Sequence, residues 1–291
     1  MSAAVRSADP LPPAAAVLDR AGGENFPVAS RLLPRREREH LLALYGYARL
    51  VDDIGDEGAR TAEERALLLD EIEADLERVY AGDLPGHALM RRLAATVHAC
   101  DLPRAPLEAL VAANRRDQEV RAYATFQDLA AYCELSANPV GRLVLHVFGA
   151  ATPERVALSD RVCTALQLAE HWQDVAEDLR RDRVYVPAED LDRFGIAVAD
   201  LAARPAGAGV RALVGFEVQR ARQLLREGAP LVGTLRGRPR LAVAAFVAGG
   251  LAALDAIERA GFDVSRGPPR ATRAARGRAL LGVLARGGRA R

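Results

Sequence analysis

An all-α fold is predicted for this chain of 291 residues by three observations. Apolar residues recur at helical spacing, the strong helix formers Ala, Leu, Arg and Glu are abundant, and runs of alternating β-branched residues are few. Half of the residues are hydrophobic, which is enough for one large core, so no second domain is required. Proline and glycine mark breaks near Pro34, Gly58, Gly82 to Gly86, Pro103, Pro153, Pro187 to Gly195, Arg204 to Gly209, Arg236 to Pro239 and Gly261.

The segments follow in order. Residues 1–21 carry Asp9 and a proline cluster from Pro10 to Pro13, with no apolar run of signal-peptide length, so they are expected to form a flexible lead-in and export is not expected. In the next helical segment Leu41, Leu44, Ala48 and Val51 form an apolar stripe, and Tyr45, Arg49, Asp52 and Asp56 form a polar stripe beside it. A merely solvated stripe would sit opposite. In the segment through Asp178 the acidic stripe of Gln167, Glu170, Asp174 and Asp178 does lie opposite Leu168, Trp172, Val175 and Leu179, as on a plain amphipathic surface. The run Leu241 to Leu254 is apolar for 14 residues, too short to cross a membrane and suited to a buried helix.

The last segment, residues 266–291, holds eight arginines and no acid. The whole chain carries a formal charge of +1, which leaves −7 on the remainder. Leu280, Leu281, Val283 and Leu284 lie among those arginines, so this tail is either an amphipathic helix able to rest on anionic lipid or a disordered extension. Nucleic acid is not an expected partner, because the tail lacks aromatic residues for stacking and the body is acidic. Three cysteines without CxxC spacing point to reduced thiols and a cytoplasmic protein, with peripheral contact at the inner membrane face through the tail.

Composition removes several chemistries. All 40 basic residues are arginine, so there is no Schiff-base lysine and no Walker A lysine, and anion recognition falls to guanidinium groups, backbone or metal. The five histidines form no pair of metal-binding motifs and are read as structural. GAGVRA (Gly207 to Ala212) follows no strand and is not a dinucleotide fingerprint. What remains is two aspartate pairs, Asp52 with Asp56 and Asp174 with Asp178, each one helical turn apart. Like charges at that spacing need a counter-ion, and an all-oxygen set favours Mg²⁺.

Around these pairs, ENFPVASRLLP (Glu24 to Pro34), LYGYARLVDDIGDE (Leu44 to Glu57), YCELSANPVGRLVLHVFG (Tyr132 to Gly149) and LQLAEHWQDVAEDLRRDRVYVP (Leu166 to Pro187) resemble, in order, the squalene and phytoene synthase family. The resemblance covers about residues 22–265, taken as one prenyl diphosphate synthase domain. Within the family, ENFPVAS, SANPVGR and HWQDVAED are most similar to the hydroxysqualene-forming enzymes of bacterial hopanoid synthesis. The resemblance implies an isoprenoid synthase bundle around a central cavity and a prenyl diphosphate substrate, with Mg²⁺ on Asp52, Asp56, Glu170, Asp174 and Asp178. It further implies substrate contacts from Asn25, Tyr45, Arg49, Gln167, Arg183 and Tyr185, and a cation-stabilising or proton-relaying role for Tyr132.

The reaction expected on this basis turns presqualene diphosphate and water into hydroxysqualene. Head-to-head condensation of two farnesyl diphosphates is the enzymatic alternative, and an inactive helical assembly factor is the non-enzymatic one. Two departures from the family pattern carry expectations of their own. Glu170 stands where asparagine is common and adds negative charge, and Gly250 stands where carotenoid-forming relatives carry tyrosine, which is expected to widen the cavity and leave room for water.

Overall fold

The computed structural model describes residues 11–19, 33–56, 58 and 60–287. Thirteen α-helices are described: α1 (Ala14–Asp19), α2 (Arg35–Asp56), α3 (Ala62–Ala81), α4 (Ala88–Cys100), α5 (Arg104–Glu119), α6 (Phe126–Ser136), α7 (Asn138–Val147), α8 (Pro153–Arg180), α9 (Ala188–Phe194), α10 (Ala208–Gly228), α11 (Leu231–Thr234), α12 (Gly237–Arg259) and α13 (Arg273–Ala285). A 3₁₀ turn at Val198–Ala202 precedes α10, and no strand occurs among the described residues. The helix boundaries have local causes. Thr61 and Glu64 form a capping box at the start of α3, Thr125 and Asp128 form another at α6, and Pro153 sits in the first turn of α8, where its missing N–H costs nothing.

Two clusters of buried side chains organise the bundle. One joins α2 to α5 around Tyr47, Leu50, Ile72 and Leu93, and the other joins α8, α10 and α12 around Leu168, Trp172, Leu213 and Val247. The site lies between them. Glycines at two helix crossings set how closely the helices approach: a Cβ on Gly55 would lie 2.0 Å from Asn114 Oδ1, and one on Gly141 would lie 2.4 Å from both Cys163 Sγ and Ser159 Oγ. Thus α2 and α5, and α7 and α8, meet nearly backbone to side chain, which places α2, α5 and α8 around one cavity.

Both ends of the chain differ from expectation. Part of the stretch read as a flexible lead-in forms α1, with Val17 fully buried and the Pro12 carbonyl 3.1 Å from His87 Nε2. The tail is an ordered helix over Arg273–Ala285, but its apolar side is used inward: Val283 is buried and Leu280 and Leu284 pack on the core. Of the four apolar residues noted there, Leu281 remains open to solvent. Helix α12 is long and apolar enough to cross a bilayer, yet Val243, Ala244, Val247 and Leu254 on it belong to the core.

Candidate active site

The helical phase of α2 and α8 turns both acidic motifs into one polar cavity of about 220 Å³. Asp52 and Asp56 face it from α2, and Gln167, Glu170, Asp174 and Asp178 face it from α8. Tyr132 enters from α6, with Arg181, Arg183 and Tyr185 from the connection after α8. That connection is fixed by an isolated bridge between Ala122 and Val184, in which Val184 N–H donates to the Arg121 carbonyl at 2.8 Å. Arg183 spans the cavity rim and donates to Asp56 Oδ1 at 2.7 Å.

The carboxylates are crowded. Burial pushes the Asp52 carboxyl up to about 6 although its side chain opens to the cavity; the Asn114 amide opposes the shift and Asp56 adds to it. Burial, then Asp174, push Asp178 up to about 7, and burial with Glu177 raises Asp174. These are acids short of counter-charge. No three candidate ligands converge on one point among the described residues. The facing pairs offer only oxygen donors, the set that a hard cation such as Mg²⁺ takes.

Beside the polar cavity lies an apolar one of about 240 Å³, and Leu110 lines both. Leu166 lines the apolar side and its neighbour Gln167 the polar side, so α8 carries the boundary between them. From Asp174 back to Ser159, which lines the apolar cavity, α8 runs about 22 Å. The combined shape suits an anionic head with a long hydrocarbon tail.

Two expected positions stand elsewhere than foreseen, and Tyr45 keeps a cavity-facing place on the apolar side. Arg49 is not among the residues lining the polar cavity; its Nε lies 2.7 Å from the buried Asp53, and its charge still acts on Asp52. Tyr45 lines the apolar cavity, where it can touch hydrocarbon. Gly250 does not itself line the cavity: a Cβ there would lie 2.5 Å from Leu166 Cδ2 and 2.9 Å from Leu225 Cδ2, so the space beside it is filled by those leucines, and its effect on the apolar cavity is to let Leu166 sit back. Asn25 falls outside the described residues.

The structure adds residues that the sequence left unmarked. Asn114 Nδ2 donates to Asp52 Oδ1 at 3.1 Å, and Asp117 Oδ2 accepts from the Tyr132 hydroxyl at 2.8 Å. Leu110, Asn114 and Asp117 share one face of α5 and lead from the apolar boundary into the polar cavity. Burial pushes Asp117 up to about 6, with Tyr132 and Arg183 opposing. His171, read as structural, also faces the cavity. It lies 3.3 Å from Gln167 Nε2, stacks on Tyr185 with centroids 3.7 Å apart, and is pushed down to about 3 by burial and then by Arg183, so it is neutral. NRRDQE in α5 looks like any charged helix face; the one clue was the i, i+3 pairing of Asn114 with Asp117.

Comparison with known proteins gives a consistent result. A family model described as squalene/phytoene synthase matches residues 19–276. A protein of Rhodopseudomonas palustris named hydroxysqualene synthase is 36% identical over 215 residues, spanning 73% of this chain and 72% of that protein. The crystal structure titled squalene synthase HpnC from Alicyclobacillus acidocaldarius matches with a TM-score of 0.78 at 43% identity, covering 84% of this chain and 92% of that one. A dehydrosqualene synthase solved with a ligand is 22% identical, with a TM-score of 0.83 over 94% of this chain and 95% of that one, a likeness of fold.

Proposed function

This chain belongs to the squalene/phytoene synthase family, and we propose that it converts presqualene diphosphate and water into hydroxysqualene and diphosphate. The observation that carries the proposal is the adjacency at Leu110: an acid-lined cavity suited to a diphosphate lies beside an apolar cavity suited to prenyl chains, and Leu110 lines both. The named relative at 36% identity supports the specific reaction.

Ionisation breaks the C–O bond and leaves its electron pair on the diphosphate, so the barrier depends on positive charge around that group. Mg²⁺, when bound, would be held by carboxylates from among Asp52, Asp56, Glu170, Asp174 and Asp178 and would supply most of that positive charge. Arg181 and Arg183 supply the remainder from the rim, where a guanidinium can donate two hydrogen bonds to phosphate oxygens. The resulting carbocation lies beside aromatic faces. Tyr132, Tyr123 and Tyr185 cluster with centroids 5.5 to 6.1 Å apart, and Tyr132 and Tyr185 face the polar cavity. Their quadrupoles stabilise positive charge without offering a nucleophile. Water then adds to the rearranged cation and loses a proton, for which the Asp117 carboxylate, reached through the Tyr132 hydroxyl, is an acceptor.

Head-to-head condensation of two farnesyl diphosphates remains the second reading, since it needs the same two acidic helices and the same cavity. An inactive assembly factor fits poorly, because all four aspartates of the pairs converge on one cavity. Incubation of the pure protein with presqualene diphosphate and Mg²⁺ in ¹⁸O-labelled water, without NADPH, separates the readings. A singly ¹⁸O-labelled alcohol is expected. An unlabelled alcohol, a strict requirement for NADPH, or turnover of farnesyl diphosphate alone would reject the assignment.

A further inference from the structure

The C-terminal arginine segment passes against the outer side of the second acidic helix. After α12 the chain is anchored by Val264 and Ser265, both buried, and by Asp263, whose Oδ1 accepts from Ser265 Oγ at 2.6 Å and from Ala206 N–H at 3.3 Å. It then reaches α8, where Gln173 Nε2 donates to the Pro269 carbonyl at 2.5 Å. Gln173 is itself buried and lies between Glu170 and Asp174 in sequence. The next turn is fixed by Thr272, whose Oγ1 accepts from Ala275 N–H at 3.2 Å and whose carbonyl accepts from Arg276 N–H at 3.1 Å.

This path places Arg270 and Arg276 against Glu170. The three residues, with Gln173, line a small cavity of about 20 Å³, walled on the α12 side by Gly249 and Ala253, whose small size leaves room for the long arginine stems. Glu170 also lines the polar cavity, so it stands between the diphosphate site and the two arginines. Arg270 is also close enough for its charge to act on Asp174. A cluster of carboxylates that must approach a trianionic leaving group is costly unless cations stand behind it as well as in front.

We propose that Arg270, seconded by Arg276, is a positioning residue of the reaction site: from outside α8 it offsets the carboxylate at Glu170 and so lets the second acidic face accept diphosphate. The C-terminal segment is then a working part of the site. The inference rests on the prenyl diphosphate reading of the cavity. It does not require a direct ion pair: Arg270 is itself exposed, so its charge acts on the half-buried Glu170 through screened surroundings, which keeps the effect modest.

A charge cycle in the full-length protein tests it. Arg270→Gln, Arg276→Gln, Glu170→Gln and the double variant Arg270→Gln with Glu170→Gln are compared by calorimetric titration with inorganic diphosphate at saturating Mg²⁺. Melting temperature reports the fold, and Arg278→Gln, an exposed position on α13, serves as control. Arg270→Gln is expected to weaken diphosphate binding roughly fivefold, as fits a partly screened charge interaction, but less than about twofold when Glu170 is already neutral. Equal losses in both backgrounds, no loss at Arg270, or the same loss from Arg278→Gln would overturn the proposal. A wild-type protein that binds no diphosphate with Mg²⁺ would overturn the prenyl diphosphate reading and this inference with it; normal wild-type binding with an uncoupled cycle overturns this inference alone.

Discussion

Gly55→Ala adds one methyl group where α2 and α5 cross, and its effect can be worked out from the contacts. The new Cβ would lie 2.0 Å from Asn114 Oδ1 and 3.0 Å from its Cγ, so the amide must retreat by more than about 1 Å to reach ordinary contact. Asn114 is buried and is held by bonds from its Nδ2 to Asp52 Oδ1 at 3.1 Å and to the Leu110 carbonyl at 3.2 Å, so it cannot retreat freely. Losing a hydrogen bond to a charged group costs about 1.5 to 3 kcal/mol, and overpacking costs a further ~1 to 3 kcal/mol. The better helix propensity of alanine returns at most about 1 kcal/mol. The net loss is roughly 1.5 to 5 kcal/mol, a fall in melting temperature of about 2 to 8 °C for a chain of this size. The same substitution should change sign in an Asn114→Ala background: the Cβ of residue 114 lies 3.4 Å from the added methyl, an ordinary contact, so only the propensity gain remains. Four melting curves decide the matter. If Gly55→Ala destabilises both backgrounds alike, Asn114 is not what the glycine accommodates.

Four further outcomes are expected. Asp52→Asn or Asp174→Asn should lower turnover at least about a hundredfold, a barrier increase of ~2.7 kcal/mol, and full activity in EDTA would remove the metal from the proposal. Gly250→Ala should drive Leu166 into the apolar cavity and raise KM at least about fivefold, with Leu166→Ala restoring it; a kinetically silent Gly250→Ala would show that Leu225 alone gives way. Glu217, buried beside Asp190 and Arg220, is pushed up to about 8, by burial first, with Arg220 opposing and Asp190 adding. A carboxyl whose folded value lies above its unfolded one (about 4.3) gives a contribution that is complete below the unfolded value and lost as pH rises through about 8, so melting temperature should fall between pH 5 and pH 8, and Glu217→Gln should flatten that slope. Parallel slopes for the two proteins would contradict this. Finally, the exposed Arg273, Arg278 and Arg286 around Leu281 should carry the protein onto anionic vesicles at low salt, at about 1 kcal/mol per arginine, and changing all three to Gln should release it; deletion of the whole tail is a poorer test because α13 covers core residues.

The sequence by itself determined the all-α class and the placing of two aspartates on one face of each of two helices, because both are local properties; that the two faces meet at one cavity was decided by the tertiary structure. Helical periodicity fixes which side chains share a face, and carboxylates one turn apart must meet the same neighbour. It also determined that guanidinium groups serve where lysine would otherwise, since no lysine is present. Tertiary structure alone decided which charges the aspartates face. Arg49 lies one turn from Asp52 in sequence yet pairs with Asp53, whereas Arg183, 127 residues from Asp56, closes the rim on it. Asn114 and Asp117 join the site only because Gly55 lets α5 press against α2, and no pattern within α5 announces that approach. Gly250 acts on the cavity only through Leu166 for the same reason: the space beside a glycine belongs to whatever packs there, and Leu166 and Leu225 had taken it. The tail's leucines likewise allowed either a lipid-facing helix or a disordered extension until the fold supplied a competing apolar surface: packing Val283, Leu280 and Leu284 on the core left Arg273, Arg278 and Arg286 in solvent, while Arg270, itself exposed, and Arg276 line a small cavity with Glu170.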